Sequence, residues 1–199
     1  MKRFLLLLVA VNLTALSAIA QRKTSIVHYQ GDVNIGYAIG WKLNIDDEET
    51  FKSDVSRPLF ETTHGISITK YAFVGAGVGV QYYYGSIMKN FPDEKWKTVA
   101  IPIFANIKGM YPINESVKPF ISLSLGGTAI ARSNLDIDGY FKLRGGFYCD
   151  FGAGIYYKRL NIGLGLQHQE FAYDEIDYFE TFREHLGSNS IYLKIGINF

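Results

Sequence analysis

Cysteine is almost missing from this chain: Cys149 is the only one in 199 residues. No disulfide can form within it, so some extended noncovalent framework must hold it together. Charge of one sign is missing too. The 20 basic side chains stand against 19 acidic ones with no Lys/Arg-rich run, which removes the electrostatic footprint of a nucleic-acid binder. After Gln30 no apolar stripe recurs at helical spacing. Hydrophobic content is nevertheless 48%, with only 20% charge, and that excludes a disordered chain.

What is present begins with an export signal. Lys2 and Arg3 precede an unbroken apolar run from Phe4 to Ala10, and Ala18 and Ala20 occupy the small positions before Gln21. This pattern predicts a secretory signal peptide, residues 1–20, cleaved after Ala20. Asn12, Thr14 and Ser17 interrupt it, so it falls short of the roughly 20 apolar residues a spanning helix needs. No cysteine near the cleavage point offers a lipid anchor. The mature chain keeps 18 basic side chains, the 20 less Lys2 and Arg3, against 19 acidic. Residues 21–29 read as a short periplasmic arm.

From residue 30 to 199 the recurring signal is a period of two, which means strands. In "VNIGYAIGWKL" Val33, Ile35, Tyr37, Ile39 and Trp41 alternate with Asn34, Gly36, Ala38 and Gly40. The same pattern recurs in "FVGAGVGVQYYYG", "VAIPIFANIK", "FISLSLGGTA", "LRGGFYCDFGAGIYY", "NIGLGLQHQ" and the terminal "SIYLKIGINF", with a weaker stretch at "ETTHGISITK". That makes eight, an even number, as closure by antiparallel hairpins requires. The connections near 44–59, 85–97, 130–141 and 170–188 are long. Those at Lys70-Tyr71, Tyr111 to Lys118 and Lys158-Arg159 are short, so long and short links fall at opposite ends. The second face is rich in glycine, which gains nothing on a water-facing strand but fits a narrow lumen. The apolar set then faces lipid. The predicted fold is all-β: an eight-stranded antiparallel up-and-down transmembrane barrel with long extracellular loops and short periplasmic turns.

With those strands, the export signal and a terminal Phe199 preceded by Leu193, Ile195 and Ile197 at alternate positions, the chain resembles the small eight-stranded outer-membrane barrels of the OmpA/OmpX type. The resemblance covers Val33 to Phe199. It implies a bacterial outer-membrane location, lipid and lipopolysaccharide as surroundings, and a C-terminal signal (Leu193, Ile195, Ile197, Phe199) read by the barrel-assembly machinery. It also implies a monomer that carries no peptidoglycan-binding domain.

The candidates for chemistry are few. Strand parity places Glu61, Lys108, Arg144, Asp150 and Lys194 on the lumen face, with Lys42 near its outer end. Such charges should pair, Asp150 with Lys194 or Arg144. "GAGVGV" at 75–80 alternates within one strand with no helix after it, so it is not a nucleotide loop and no cofactor is expected. Of the four histidines, His28, His64, His168 and His185, the segment His168 to Glu170 offers a base and an acid for a lipid-modifying enzyme, but no serine is placed beside it. The acids Asp46 to Glu49, Asp174, Glu175, Asp177 and Glu180 match no calcium-loop spacing, so no metal site is expected. Tyr173, Tyr178, Phe179 and Phe182 lie among them as loop aromatics for the interface or an extracellular partner. Cys149 has lipid-facing parity and reads as a small apolar group. The reading is a non-enzymatic, loop-displaying anchor. A lipid-modifying enzyme, a narrow pore and a lipocalin-like carrier of an apolar ligand stay open beside it.

Overall fold

The computed structural model describes residues 27–45, 49–51, 55–86, 95–134, 141–176 and 181–199. The signal peptide and most of the predicted arm lie outside them. Nine strands follow in chain order: β1 (His28–Ile45), β2 (Glu49–Phe51), β3 (Ser56–Thr69), β4 (Ala72–Ser86), β5 (Lys95–Met110), β6 (Val117–Ser133), β7 (Phe141–Tyr157), β8 (Leu160–Ile176) and β9 (Thr181–Asn198). Each of β3 to β8 pairs antiparallel with the next, and β1 pairs with both β3 and β9. The sheet therefore closes into an eight-stave barrel, while β2 only folds back on the outer end of β1. Closure leaves no open edge where the wall meets hydrocarbon.

The faces fall as the alternation predicts. Ile35, Ile39, Ile103, Leu164 and Ile195 are exposed on the outside, while Ala38, Tyr83, Tyr148 and Gln81 are fully buried within. Leaving each aliphatic side chain in water instead of an apolar medium costs about 1.5–3 kcal/mol, so this wall is matched only by lipid. The carrier reading needs the apolar set inside and is overturned. On β9 the outward apolar row runs from Phe199 to Ile191 and ends at Asn189; on β8 it runs from Leu160 to Leu166 and ends at His168. Eight residues at ~3.3 Å and a tilt of ~40° make a belt roughly 20 Å tall.

The periplasmic turns match expectation, including Lys158 in the left-handed region at φ 56°. The outer connections do not. β8 continues to Ile176 and β9 starts at Thr181, so the expected 170–188 loop is mostly a hairpin standing above the belt. Tyr173 is not a loop residue: it points inward against an apolar cluster. Near the top two seams lose their ladders among the described residues, although Gly145 still lies against the Thr128 carbonyl. The β6–β7 ladder stops at Gly127 and Phe147, and the β1–β3 ladder stops at Ile39 and Ser56, one further bond joining Gly40 N to Val55 O.

Candidate functional site: the filled lumen

Inward side chains fill the barrel in layers. At the periplasmic end Asp32 of β1 is fully buried and accepts from Lys108 of β5, from Tyr156 Oη at 3.0 Å and from Asn198 Nδ2 at 3.0 Å. Because β1 and β5 are three staves apart in the ring of eight, the Asp32–Lys108 pair crosses the lumen. Phe73, Met110 and Tyr156 pack around it, with Phe120 against them. Asn198 also donates to Gly31 O, and Gly31 and Phe199 exchange two backbone bonds at 2.8 and 2.9 Å. The last residue is thus held to the first strand, its ring 6.3 Å from Tyr29 and 6.0 Å from His64.

One layer higher, Lys194 Nζ lies 2.8 Å from Glu61 and 2.9 Å from Asp150. Tyr192 donates to Asp150 and Tyr148 to Glu61, both at 3.2 Å. A relay continues upward: Gln167 Nε2 donates to Tyr148 Oη at 2.7 Å, and Arg57 Nε donates to Gln167 Oε1 at 3.1 Å. Every donor in it points from the Arg57 cation toward the Glu61 anion, so each bond polarises the next. Arg57 also donates to Ser190 Oγ at 2.6 Å and lies 4.5 Å over the Tyr83 ring. Above it Val55, Tyr83, Trp96, Ala100, Leu143 and Phe171 close the outer half.

Three cations, Arg57, Lys108 and Lys194, thus face three anions, Asp32, Glu61 and Asp150. Among the described residues a cavity of about 40 Å³ lies between the layers, bounded by Asn34, Asn106 and Asn161 among others. Asn34 Oδ1, Asn106 Oδ1 and Asn161 Nδ2 are buried without a protein partner. That space holds on the order of three waters, one for each of these groups.

The glycines of the second face have a more specific use than expected. A β-carbon on Gly77 would collide with the Phe104 ring, and one on Gly152 or Gly165 with the Tyr192 hydroxyl. Glycine here makes room for large rings reaching across, not for an open passage.

Of the expected lumen group, Glu61, Asp150 and Lys194 are brought together, and Lys108 joins Asp32 one layer below. Arg144 is a correction. The β7–β8 register shifts between Gly145 and Tyr148, and this bulge inverts the alternation so that Arg144 points outward and is half exposed. The adjacent glycines at 145 and 146 were the readable sign of it. The Lys42 side chain lies outside the described ones. Sequence parity missed Asp32, just before the first counted residue, and Arg57, which fell in the connection read near 44–59 but lies in β3.

Comparison with solved structures places this architecture. OprG from Pseudomonas aeruginosa superposes with a TM-score of 0.56 at 8% identity, covering 88% of this chain and 96% of that one. AlkL in DMPC bilayers gives 0.53 at 13% identity, over 90% of this chain and 92% of that one. The fold is that of a small outer-membrane β-barrel. No family model and no curated protein matches the chain.

On the outside of the barrel, at the top of the belt, His168 Nδ1 meets Asn189 Oδ1 at 2.9 Å and Nε2 meets Glu170 at 3.4 Å. Directly across on β7 stands Cys149, half-buried, while Ser188 and Ser190 of β9 face the lumen. Among the described residues no serine is assembled with this histidine. His64 is bonded to Tyr29 and to Thr62 Oγ1 at 2.8 Å. Of the predicted acids, Asp174 has a described side chain, and its oxygens accept from Arg144 Nε at 2.5 Å and Arg183 Nε at 2.7 Å. The Arg183 bond, and after it Arg144, hold the Asp174 carboxyl below the usual carboxylate range. Asp46, Asp47, Glu48, Asp177, Glu180, Tyr178 and Phe179 lie outside the described residues, as do the side chains of Glu49, Glu175 and Phe182.

Proposed function

We propose that the chain is an integral, monomeric protein of a bacterial outer membrane whose barrel anchors an extracellular head of extended hairpins and loops, and that it neither conducts nor catalyses. The observation that carries this reading is the filled lumen: cross-lumen ion pairs lie between two apolar layers, and among the described residues the cavity there has space for a few waters. The outward belt supports the placement in lipid. The row Leu193, Ile195, Ile197 and Phe199, exposed on the closing strand, suits a role as the signal for insertion by the assembly machinery. The enzymatic rival needs a nucleophile beside His168, and a conducting pore needs a continuous wet path.

Gel mobility of the protein from isolated outer membranes, with and without boiling in dodecyl sulfate, tests the placement. A shift on boiling is expected; recovery in the soluble fraction without one would overturn it. Planar-bilayer recording tests the lumen, and discrete conductance steps from the intact barrel would overturn the closed reading.

A further inference from the structure

Above the belt, six outward positions on β7, β8 and β9 fall into two rows: Lys142, Asp174 and Arg183 in one, and Arg144, Ala172 and His185 in the other. Four basic residues therefore surround one acid on a single patch of wall. Asp174 is almost fully covered, its side chain 4% exposed, although it points away from the lumen. What covers it are the two guanidiniums, which themselves stay 53% and 54% exposed. Arg144 reaches the carboxylate through Nε, and Arg183 through Nε with Nη2 at 3.4 Å. Both terminal nitrogens of Arg144 and one of Arg183 are not spent on Asp174. One arginine would neutralise the carboxylate; the second is surplus and leaves the trio at +1, with Lys142 exposed beside it.

We infer that this trio is a binding site for the phosphate of an outer-leaflet glycolipid headgroup. The inference rests on the outer-membrane placement proposed above. Two guanidinium forks held by one carboxylate, one from each neighbouring strand, present exposed N–H donors on one patch, the donor type that suits phosphate oxygens. The rows lie four to six residues beyond His168, which puts them roughly 10–15 Å above the apolar belt, at the outer limit of the headgroup layer, within reach of long arginine side chains. They also continue the wall that touches lipid instead of crowning the loops, and that favours a lipid neighbour over a soluble one. Glu170, lower on the same face, bonds to His168, and no ion pair between it and the trio is present among the described residues.

The test uses the full barrel in phosphatidylcholine nanodiscs, with native mass spectrometry counting retained glycolipid. Bis-phosphorylated lipid A is compared with the same glycolipid after enzymatic dephosphorylation, and with inorganic phosphate alone. The phosphorylated form should be retained preferentially, and R144Q and R183Q should each lower its retention about fivefold, the effect of one basic residue near an anionic surface. Asp174→Asn separates a built site from bulk charge: it makes the patch more positive yet should weaken retention, because the forks lose their anchor. Equal retention of both glycolipids, or tighter retention by D174N, would overturn the inference. Inorganic phosphate that displaces lipid A completely at equal concentration would overturn the lipid assignment. Each variant is checked for the boiling shift, and where one loses it, the fall of wild-type retention with added salt decides instead. A wild-type barrel without the shift would sink the membrane placement itself, whereas a normal shift with no phosphate preference would sink only this site.

Discussion

Lys194 is the position where the lumen argument is most exposed to test. Its ammonium is held by two buried carboxylates at 2.8 and 2.9 Å. At an effective dielectric of about 20 each contact amounts to ~6 kcal/mol before desolvation. Replacing it by Met removes both contacts and leaves Glu61 and Asp150 facing each other. Since both touched one atom, their nearest oxygens are at most 5.7 Å apart, the sum of the two distances. Repulsion at that separation is ~3 kcal/mol. Removing one partner of a buried pair costs about 3–5 kcal/mol, and K194M should fall at or above the top of that range. D150N should cost less, because Lys194 keeps Glu61. The decisive variant is K194M with Glu61→Gln, which removes the repulsion and should recover about 2 kcal/mol or more relative to K194M alone. Urea titration in lipid vesicles, read by tryptophan fluorescence, measures all four proteins. If K194M lies within about 1 kcal/mol of wild type, or if E61Q recovers nothing, the carboxylates are not organised by Lys194 and the reasoning fails.

Asp32→Ala should destabilise the closed seam, since it strands Lys108 and releases Asn198; the temperature of the gel-mobility shift should drop further than for Ile35→Ala on the lipid face. Gly152→Ala should cost about 1–3 kcal/mol by displacing the Tyr192 hydroxyl from Asp150, whereas Gly109→Ala, whose β-carbon would make only an ordinary contact with Ile121 at 3.4 Å, should be mild. The lowered acidity range of Asp174 has a definite sign. Its ion pairs contribute fully above the unfolded carboxylate range near ~4 and are lost as pH falls through its lower folded value. Hydrogen exchange at the β8–β9 hairpin should therefore stay slow to below pH ~4 and then quicken in wild type, with D174N showing no such acid step.

The belt was legible because each strand there separates two unlike solvents, lipid and a packed lumen, and the contrast prints a period of two. Ile191 to Phe199 shows it plainly. Above the belt both faces meet water or protein, the contrast fades, and residues 170–176 and 181–188 read as loop although they are strand. Arg144 was misplaced because a bulge changes parity without changing composition. The pairing of Asp32 with Lys108 had no local sign at all: it joins strands that are neighbours neither in sequence nor in the sheet, and only closure brings them face to face. The triad of Glu61, Asp150 and Lys194 was accessible as a set of inward charges, but the relay to Arg57 needed the start of β3, which lay inside the stretch read as a connection near 44–59.

The two seams that lose their ladders near the top divide the wall mechanically. Below Gly127 and Phe147 it is a hoop, in which a register change in any strand must travel round the whole circumference and is resisted by every neighbour. Above them the ladders among the described residues form two lips, one of β7, β8, β9, β1 and β2, the other of β4, β5 and β6. A lip has ends, so a residue inserted there is absorbed where it occurs. Novelty in what this protein touches can accumulate on the lips while the hoop beneath keeps its count.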